Sequence, residues 1–137
     1  MTRRSFLPVL AAPLLAGSEE ALEILTALAS ALSEGNPIAF LQAFDRDMQG
    51  YASIEASVTA LTSQTDIVCS IEILKEGGDD STRSAEVDWF MQLRSKSERG
   101  PVERRRQIIT VKVAKRNKKW KIVAFDPAAI LAPQTVK

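Results

Sequence analysis

The stretch QIITVKVAKRNKKWKIVAFD, residues 107–126, decides the fold of this chain. On both sides of Asn117-Lys118, apolar and polar side chains alternate, and a period of two is typical of a strand with one buried face. The pattern predicts one strand over residues 102–115 and another over residues 119–126, joined by a two-residue turn. The C-terminal part of the chain is therefore expected to form an antiparallel hairpin.

Two further strands are predicted before this hairpin. Residues 67–74 alternate between Ile67, Cys69, Ile71 and Ile73 on one face and more polar positions on the other. Residues 84–96 alternate again, after a turn predicted at residues 77–81, and a loop around Gly100-Pro101 leads into the hairpin. The four strands are expected to pair in chain order as an antiparallel sheet.

The cross-strand pattern predicts a register for this sheet. Pairing the second and third strands about residue 99 places Glu86 opposite Lys112, which joins opposite charges on the outer face. The same register places Trp89 opposite Ile109 on the inner, apolar face. The hairpin turn then places Asp126 on the inner face as well. Four apolar side chains share the outer face: Phe90, Ile108, Val123 and Phe125.

Three helices are predicted before the sheet. Ser18 can cap the first, over residues 18–34, and Gly35 ends it. Asn36-Pro37 begins the second, which is expected to present Ile38, Leu41, Phe44 and Met48 on its apolar face. A third helix over residues 53–61 presents Ile54, Val58 and Leu61. Helices followed by an antiparallel meander predict an α+β fold with helices on one face of the sheet.

The N-terminus has the features of an export signal. Arg3 and Arg4 precede an apolar run over residues 6–16, which is too short to span a bilayer, and small residues follow it. The order Thr-Arg-Arg-Ser-Phe-Leu is similar to a twin-arginine signal. Residues 1–17 are therefore predicted to be a signal peptide, residues 18–137 a single domain, and the protein periplasmic or secreted. Retention as an anchor, or a basic N-terminus packed on the domain, are the alternatives.

Composition limits the chemistry. The chain of 137 residues contains no histidine and one cysteine, Cys69, so it has neither the commonest general base nor an internal disulfide. We expect no metal and no cofactor. The formal net charge is only +1, and the basic residues of the last strands alternate between two faces, which argues against a nucleic-acid partner. No stable membrane span is expected after signal removal.

The order of these elements resembles the nuclear-transport-factor-2-like superfamily. The resemblance covers about residues 18–132 and is clearest in the hairpin that ends in KKWKIVAFDP. It implies a cone of helices and curved sheet around an apolar pocket. Members include ketosteroid isomerase-like and polyketide cyclase-like enzymes, dehydratases, and binding or assembly modules. The resemblance also implies homodimers that associate sheet to sheet.

Five residues are candidates for a site in such a pocket. Isomerase-like members use a tyrosine from the first helix, but the only tyrosine here is Tyr51, after the second helix. An inward Asp126 could act as a general base, although a cap on the following turn is the simpler interpretation. Arg105 and Gln107 could hold an anionic or carbonyl ligand, or lie at a solvated strand end. Trp89 could stack on a ligand or belong to the core.

Three functions remain open on the sequence. The first is an exported domain that binds a small apolar or carbonyl ligand without catalysis, or an accessory module. The second is a cofactor-free lyase or isomerase with Asp126 as base. The third is a structural homodimer joined through Phe90, Ile108, Val123 and Phe125, unless residues 128–136 cover that face. A cone filled by Trp89, Met91 and Phe44 would favour the third, and an enclosed cavity would favour the others.

Overall fold

A computed structural model describes residues 12–97 and 102–134, with side chains from residue 19 onward. The helices are α1 (Ala12–Ser33), α2 (Pro37–Gln42) and α3 (Tyr51–Gln64), and the strands are β1 (Thr65–Gly78), β2 (Thr82–Ser95), β3 (Glu103–Arg116) and β4 (Lys119–Asp126). A short 3-10 turn, Ala128–Leu131, follows. The strands form one antiparallel sheet in chain order. The predicted α+β class is confirmed.

The first helix begins earlier than predicted. α1 starts at Ala12, six residues before Ser18, the predicted cap. Pro13 lies in its first turn, where a missing N–H costs no helical hydrogen bond. The predicted signal residues Arg3 and Arg4 lie outside the described residues. None of the helices that the structure describes is long and apolar enough to cross a membrane.

The second helix is shorter than predicted. Asn36 caps it as expected, since its Oδ1 accepts a hydrogen bond from the Ala39 N–H at 3.0 Å. The helix ends at Gln42 and does not continue to Met48. Ile38 is 70% exposed instead of lying on the buried face, and Phe40 takes the core position. By contrast, α3 buries Ile54, Val58 and Leu61 as predicted.

The chain after α2 joins the edge of the sheet. Phe44 forms an isolated parallel bridge with Ile122 of β4. The Asp45 N–H donates to the Ile122 carbonyl at 2.8 Å, and the Ile122 N–H donates to the Ala43 carbonyl at 2.8 Å. These hydrogen bonds satisfy backbone groups that a continued helix would have paired within itself, and they fix the segment after α2 against β4.

The β2–β3 register differs from the prediction by two residues. Trp89 pairs with Gln107 instead of Ile109, and Ile109 pairs with Val87. Since side chains alternate with a period of two, a shift of two residues keeps every side chain on its predicted face. The assignment of inner and outer faces in β2 and β3 is therefore correct although the individual pairs are wrong.

The β3–β4 pairing contains a β-bulge that reverses one prediction. Val113 pairs with Ile122, but Val111 pairs with Phe125, so β4 has one extra residue between them. The extra residue turns Phe125 into the core, where it is 5% exposed. Asp126 pairs with Thr110 and is exposed on the outer face. The predicted outward Phe125 and inward Asp126 are both wrong for this reason.

The turn between β3 and β4 is formed as predicted. Asn117 and Lys118 have φ values of 53° and 70°, the left-handed conformation that a two-residue hairpin turn of type I′ requires at both positions. Asparagine tolerates this conformation better than most residues. The turn projects from the sheet beside the segment that follows α2, and this proximity forms the cleft described below.

Aromatic and aliphatic side chains fill the interior of the cone. Trp89 and Met91 are fully buried, and Phe44 is nearly so. The Trp89 and Phe125 rings meet edge to face with centroids 5.3 Å apart, and the Phe44 and Phe125 centroids are 6.0 Å apart. Phe40 continues the stack, 5.2 Å from Phe44. This packing occupies the space in which a ligand would be bound in a hollow cone.

Candidate functional site

The structure brings three of the five predicted site residues together on the inner face of the sheet. Arg105 pairs with Met91, and Gln107 pairs with Trp89, so the three polar or aromatic candidates are neighbours. Trp89 is fully buried, whereas Gln107 is exposed. Tyr51 lies at the start of α3 in a different cleft, and Asp126 lies on the opposite face of the sheet. No acid–base pair is assembled from these candidates.

Arg105 is engaged by the protein itself. Its Nη1 donates to the carbonyl oxygens of Ile130 at 2.8 Å and Ala132 at 2.6 Å. Its Nε donates to Glu103 Oε2 at 2.7 Å, and the Arg105 side chain is only 15% exposed. The pKa of Glu103 lies below its ordinary value, because Arg105 and, more weakly, Gln134 donate to its carboxylate. Arg105 therefore holds the C-terminal segment and is not available to a ligand in this conformation.

The C-terminal segment packs against α3 and β3. Ile130 and Leu131 are buried in the same core as the sheet and α3. The Gln134 N–H donates to Gln64 Oε1 at 3.0 Å, at the end of α3. Residues 128–134 therefore pack on the inner side of the domain. The alternative in which this segment folds over the outer face is wrong for the described residues.

Trp89 presents a polar atom without a partner. Its indole Nε1 is buried and donates no hydrogen bond, and the same holds for Trp120. An unpaired buried donor costs on the order of 1–3 kcal/mol. Trp89 therefore contributes a large apolar surface to the core, but its indole N–H has no hydrogen-bond partner.

Cys69 is not activated for chemistry. Burial raises the pKa of its thiol to about 12, and its side chain packs against the core. The thiolate is the nucleophilic form of cysteine, so Cys69 is protonated and unreactive at neutral pH. Within residues 12–97 and 102–134, no group of three or more acidic, cysteine or histidine side chains is placed to hold a metal ion.

An open cleft lies between α2, the start of α3 and the β3–β4 turn. Its volume is about 600 Å³. Its walls combine apolar and charged side chains: Ile38, Leu41, Gln42, Phe44, Asp45, Arg46, Tyr51, Glu55, Arg116, Asn117, Lys119 and Lys121. We call this the α2–hairpin cleft. The sequence did not indicate it, because it depends on the bridge between Phe44 and Ile122, which are far apart in the chain.

Two of the cations in the α2–hairpin cleft are held in place. Arg116 Nε donates to Asp45 Oδ2 at 3.0 Å, and Lys121 Nζ donates to the Gln42 carbonyl at 2.6 Å. The pKa of Asp45 lies below its ordinary value, because the Asp47 N–H and then Arg116 donate to the carboxylate. Asp45 is therefore ionised at neutral pH.

The outer face of the sheet combines apolar and charged side chains. Ile108 is 47% exposed, and Phe90 and Val123 are half-buried. Asp88 accepts two hydrogen bonds from Arg106, from Nη2 at 2.7 Å and from Nε at 3.1 Å. This ion pair lowers the pKa of Asp88. The face is thus a charge-paired surface with an apolar centre, as the alternation of residues indicates.

Solved structures show which fold this is. A conserved protein from Planctomyces limnophilus has a TM-score of 0.75 at 9% identity, over 81% of this chain and 94% of that chain. A candidate scytalone dehydratase from Novosphingobium aromaticivorans has a TM-score of 0.74 at 11% identity, over 82% and 83%. A candidate dehydratase of the NTF2-like family from Streptomyces avermitilis has a TM-score of 0.65 at 12% identity, over 80% and 94%. No family model and no curated protein matches the chain.

The chain therefore has the α+β cone fold of nuclear-transport-factor-2-like proteins. Identities this low establish the fold and no particular activity. The fold is compatible with a small domain that binds a ligand or catalyses a reaction. The choice between these functions depends on the side chains of this chain.

Proposed function

We propose that this protein is a non-catalytic module that acts by pairing with a second copy of itself through the outer face of its sheet. The observation that carries the proposal is the filled cone, in which Trp89, Met91 and Phe44 are buried. The described interior is occupied by side chains where a hollow cone would bind a substrate. The outer face, with its exposed Ile108 among charged side chains, then offers a surface for association.

The positions of the predicted catalytic groups support a role without catalysis. Asp126 is exposed on the outer face, so it cannot act as a base within the cone. Arg105 is bound to Glu103 and to two carbonyl groups. A general base must lie within hydrogen-bonding distance of the proton that it removes, together with its electrophilic partner. Asp126 and Arg105 lie on opposite faces of the sheet and cannot form such a pair.

The outer face carries charges of both signs around its apolar centre. Glu72, Glu86 and Asp88 lie on β1 and β2 together with Lys75 and Arg94, and Arg104, Arg106 and Lys112 lie on β3. A two-fold axis along the strands, between β2 and β3, places β2 of one copy over β3 of the other. Phe90 of one copy then lies over Arg106 of the other, and Asp88 lies over Ile108, so that apolar and charged side chains meet at the centre of the face.

The area of the outer face suits a stable dimer. Four strands about 4.8 Å apart, with about 3.3 Å per residue along the longer strands, form a face of roughly 19 by 45 Å. A standard interface buries about 800 Å² on each partner. Residues 128–134, the described part of the C-terminal segment, do not cover this face, since Ile130 and Leu131 are buried in the inner core.

Sedimentation of the full-length protein tests this proposal. We expect a dimer at micromolar concentration, and a monomer for Phe90→Asp and for Ile108→Asp. Ile108 is the safer position because it is 47% exposed in the single chain, so its substitution should not unfold the domain. Leu22→Asp is the matched control, since Leu22 is 50% exposed on α1, away from the sheet. A monomeric wild type, or a dimer that Ile108→Asp leaves intact, would refute the proposal.

A further inference from the structure

The α2–hairpin cleft has an unusual apolar wall. Ile38 is 70% exposed, which is high for a large apolar side chain, and Leu41 and Tyr51 are half-buried beside it. These three side chains lie on the helical side of the cleft. Exposed apolar surface inside a concave site is the usual means by which a protein holds the body of a small molecule.

The walls of the cleft also carry an excess of positive charge. Four cationic side chains line the cleft against two carboxylates, those of Asp45 and Glu55. Arg116 is paired with Asp45, and Lys121 is bound to a carbonyl group. Two cationic side chains, Arg46 and Lys119, make no hydrogen bond or ion pair with any residue that the structure describes.

From this juxtaposition we infer that the α2–hairpin cleft binds a small amphipathic carboxylate, with an acyl or aryl body against Ile38 and Leu41 and its head at Lys119 and Arg46. Exposed apolar side chains and unpaired cations in one cleft match a molecule that has one apolar part and one anionic group. This inference is independent of the proposed dimer, because none of the residues that line the cleft belongs to the outer apolar centre.

The carboxylates of the cleft restrict the ligand. Asp45 and Glu55 lie within the same walls and would repel a polyanion such as a nucleic-acid strand. A single carboxylate carries less charge and is repelled less strongly by these two acids. The cleft, at about 600 Å³, is also within the size range of sites for small molecules.

Calorimetric titration with decanoate, below the concentration at which it forms micelles, tests the inference. We expect saturable binding of decanoate and much weaker binding of decanol, which has the same chain without the charge. The double variant Arg46→Glu/Lys119→Glu should bind decanoate at least tenfold more weakly. Ile38→Asp should also weaken binding. Lys112→Glu, which changes a cation on the outer face, is the matched control and should bind like the wild type.

Three outcomes would overturn the inference. The first is equal affinity for decanol and decanoate, and the second is an equal loss of affinity in Lys112→Glu. The third is adsorption to phosphatidylglycerol vesicles, reduced in the double variant, without binding of monomeric decanoate, because the cleft would then face a lipid surface. Both Arg46 and Lys119 are exposed, so the double variant should fold, and circular dichroism checks this.

Discussion

The guanidinium of Arg105 lies 2.6 Å from the carbonyl oxygen of Ala132, so a side chain that the sequence suggests for ligand binding holds the C-terminal segment instead. The bond joins β3 to the chain beyond the 3-10 turn. Since Ile130 and Leu131 of that turn are buried in the core, the bond helps to hold the C-terminal segment against the domain.

Arg105→Ala should lower the free energy of unfolding by about 2–3 kcal/mol. The variant loses hydrogen bonds from a charged donor and leaves two carbonyl groups and Glu103 without it, and hydrogen bonds to charged groups are each worth about 1.5–3 kcal/mol. Urea denaturation measures the change. Arg104→Ala, on the exposed outer face of the same strand, is the control and should stay within about 0.5 kcal/mol of the wild type. Equal stability of the two variants would contradict the role of Arg105.

Glu103 should make stability depend on acid pH. Its folded-state pKa is lowered from 4.5, chiefly by Arg105, so the carboxylate stabilises the fold above pH 4.5. This contribution should disappear as the pH falls below 4.5 and through the folded-state pKa. The stability difference between wild type and Glu103→Gln should therefore be largest near pH 6 and shrink toward pH 3. A difference that stays constant over this range would show that Arg105 does not favour the ionised form.

Gly78→Ala should be strongly destabilising, by about 1–3 kcal/mol or more. Gly78 has φ of 145°, and a Cβ there would lie 2.3 Å from the Thr82 carbonyl oxygen and 2.5 Å from the Arg83 Cα. Both contacts are with backbone, so the β1–β2 turn would have to shift. Gly77→Ala is the adjacent control, because its Cβ would meet no atom within 4 Å. The melting temperature of Gly78→Ala should be clearly lower than that of Gly77→Ala. Similar melting temperatures would contradict the close backbone contacts at Gly78.

Phe125→Ala should cost about 3–5 kcal/mol, whereas Val123→Ala should cost about 1 kcal/mol or less. The reason is the β-bulge, which turns Phe125 into the core against Trp89 and leaves Val123 half-buried. Both variants are compared by urea denaturation at one protein concentration, so that association does not bias the comparison. If Val123→Ala lowered the free energy of unfolding more than Phe125→Ala, the side chains of β4 would alternate between the two faces without a bulge.

Export remains a prediction that host fractionation can check. We expect a periplasmic or secreted protein whose mature chain begins near Ser18, because Arg3, Arg4 and a short apolar run precede small residues. N-terminal sequencing identifies the first residue. Replacing both arginines by lysine should block a twin-arginine route, and unchanged export would indicate the general route. A cytoplasmic protein that retains Met1 or Thr2 would rule out export.

Periodicity predicted the elements of the fold better than their pairing. The alternation in β2 and β3 assigned both faces correctly, because the register error of two residues preserves them. The bulge in β4 could not be predicted in the same way. Residues 122–125 read Ile-Val-Ala-Phe, four apolar residues in a row, so no change in pattern marks the extra residue. The predictions for the faces of Phe125 and Asp126 are both wrong because nothing in the sequence marks the bulge.

The α2–hairpin cleft lay beyond sequence reasoning for a different reason. It exists because Phe44 pairs with Ile122 and because Arg116 reaches Asp45, contacts between distant parts of the chain. Local patterns of hydrophobicity depend on neighbouring residues in the sequence and do not indicate which distant segments pair. The helical pattern assigns Ile38 to the core, whereas the structure leaves it 70% exposed at the cleft.

The bridge between Phe44 and Ile122 also bears on how the protein is made. The segment that follows α2 finds its hydrogen-bonding partner in β4, the last strand of the sheet to be synthesised, so this segment cannot dock until β4 has been made. Contacts of such long range are formed slowly, because closing the intervening loop costs entropy before any bond compensates it. A chain that stops before β4 would lack Phe125, which packs on Phe44, and would therefore leave part of the aromatic stack exposed.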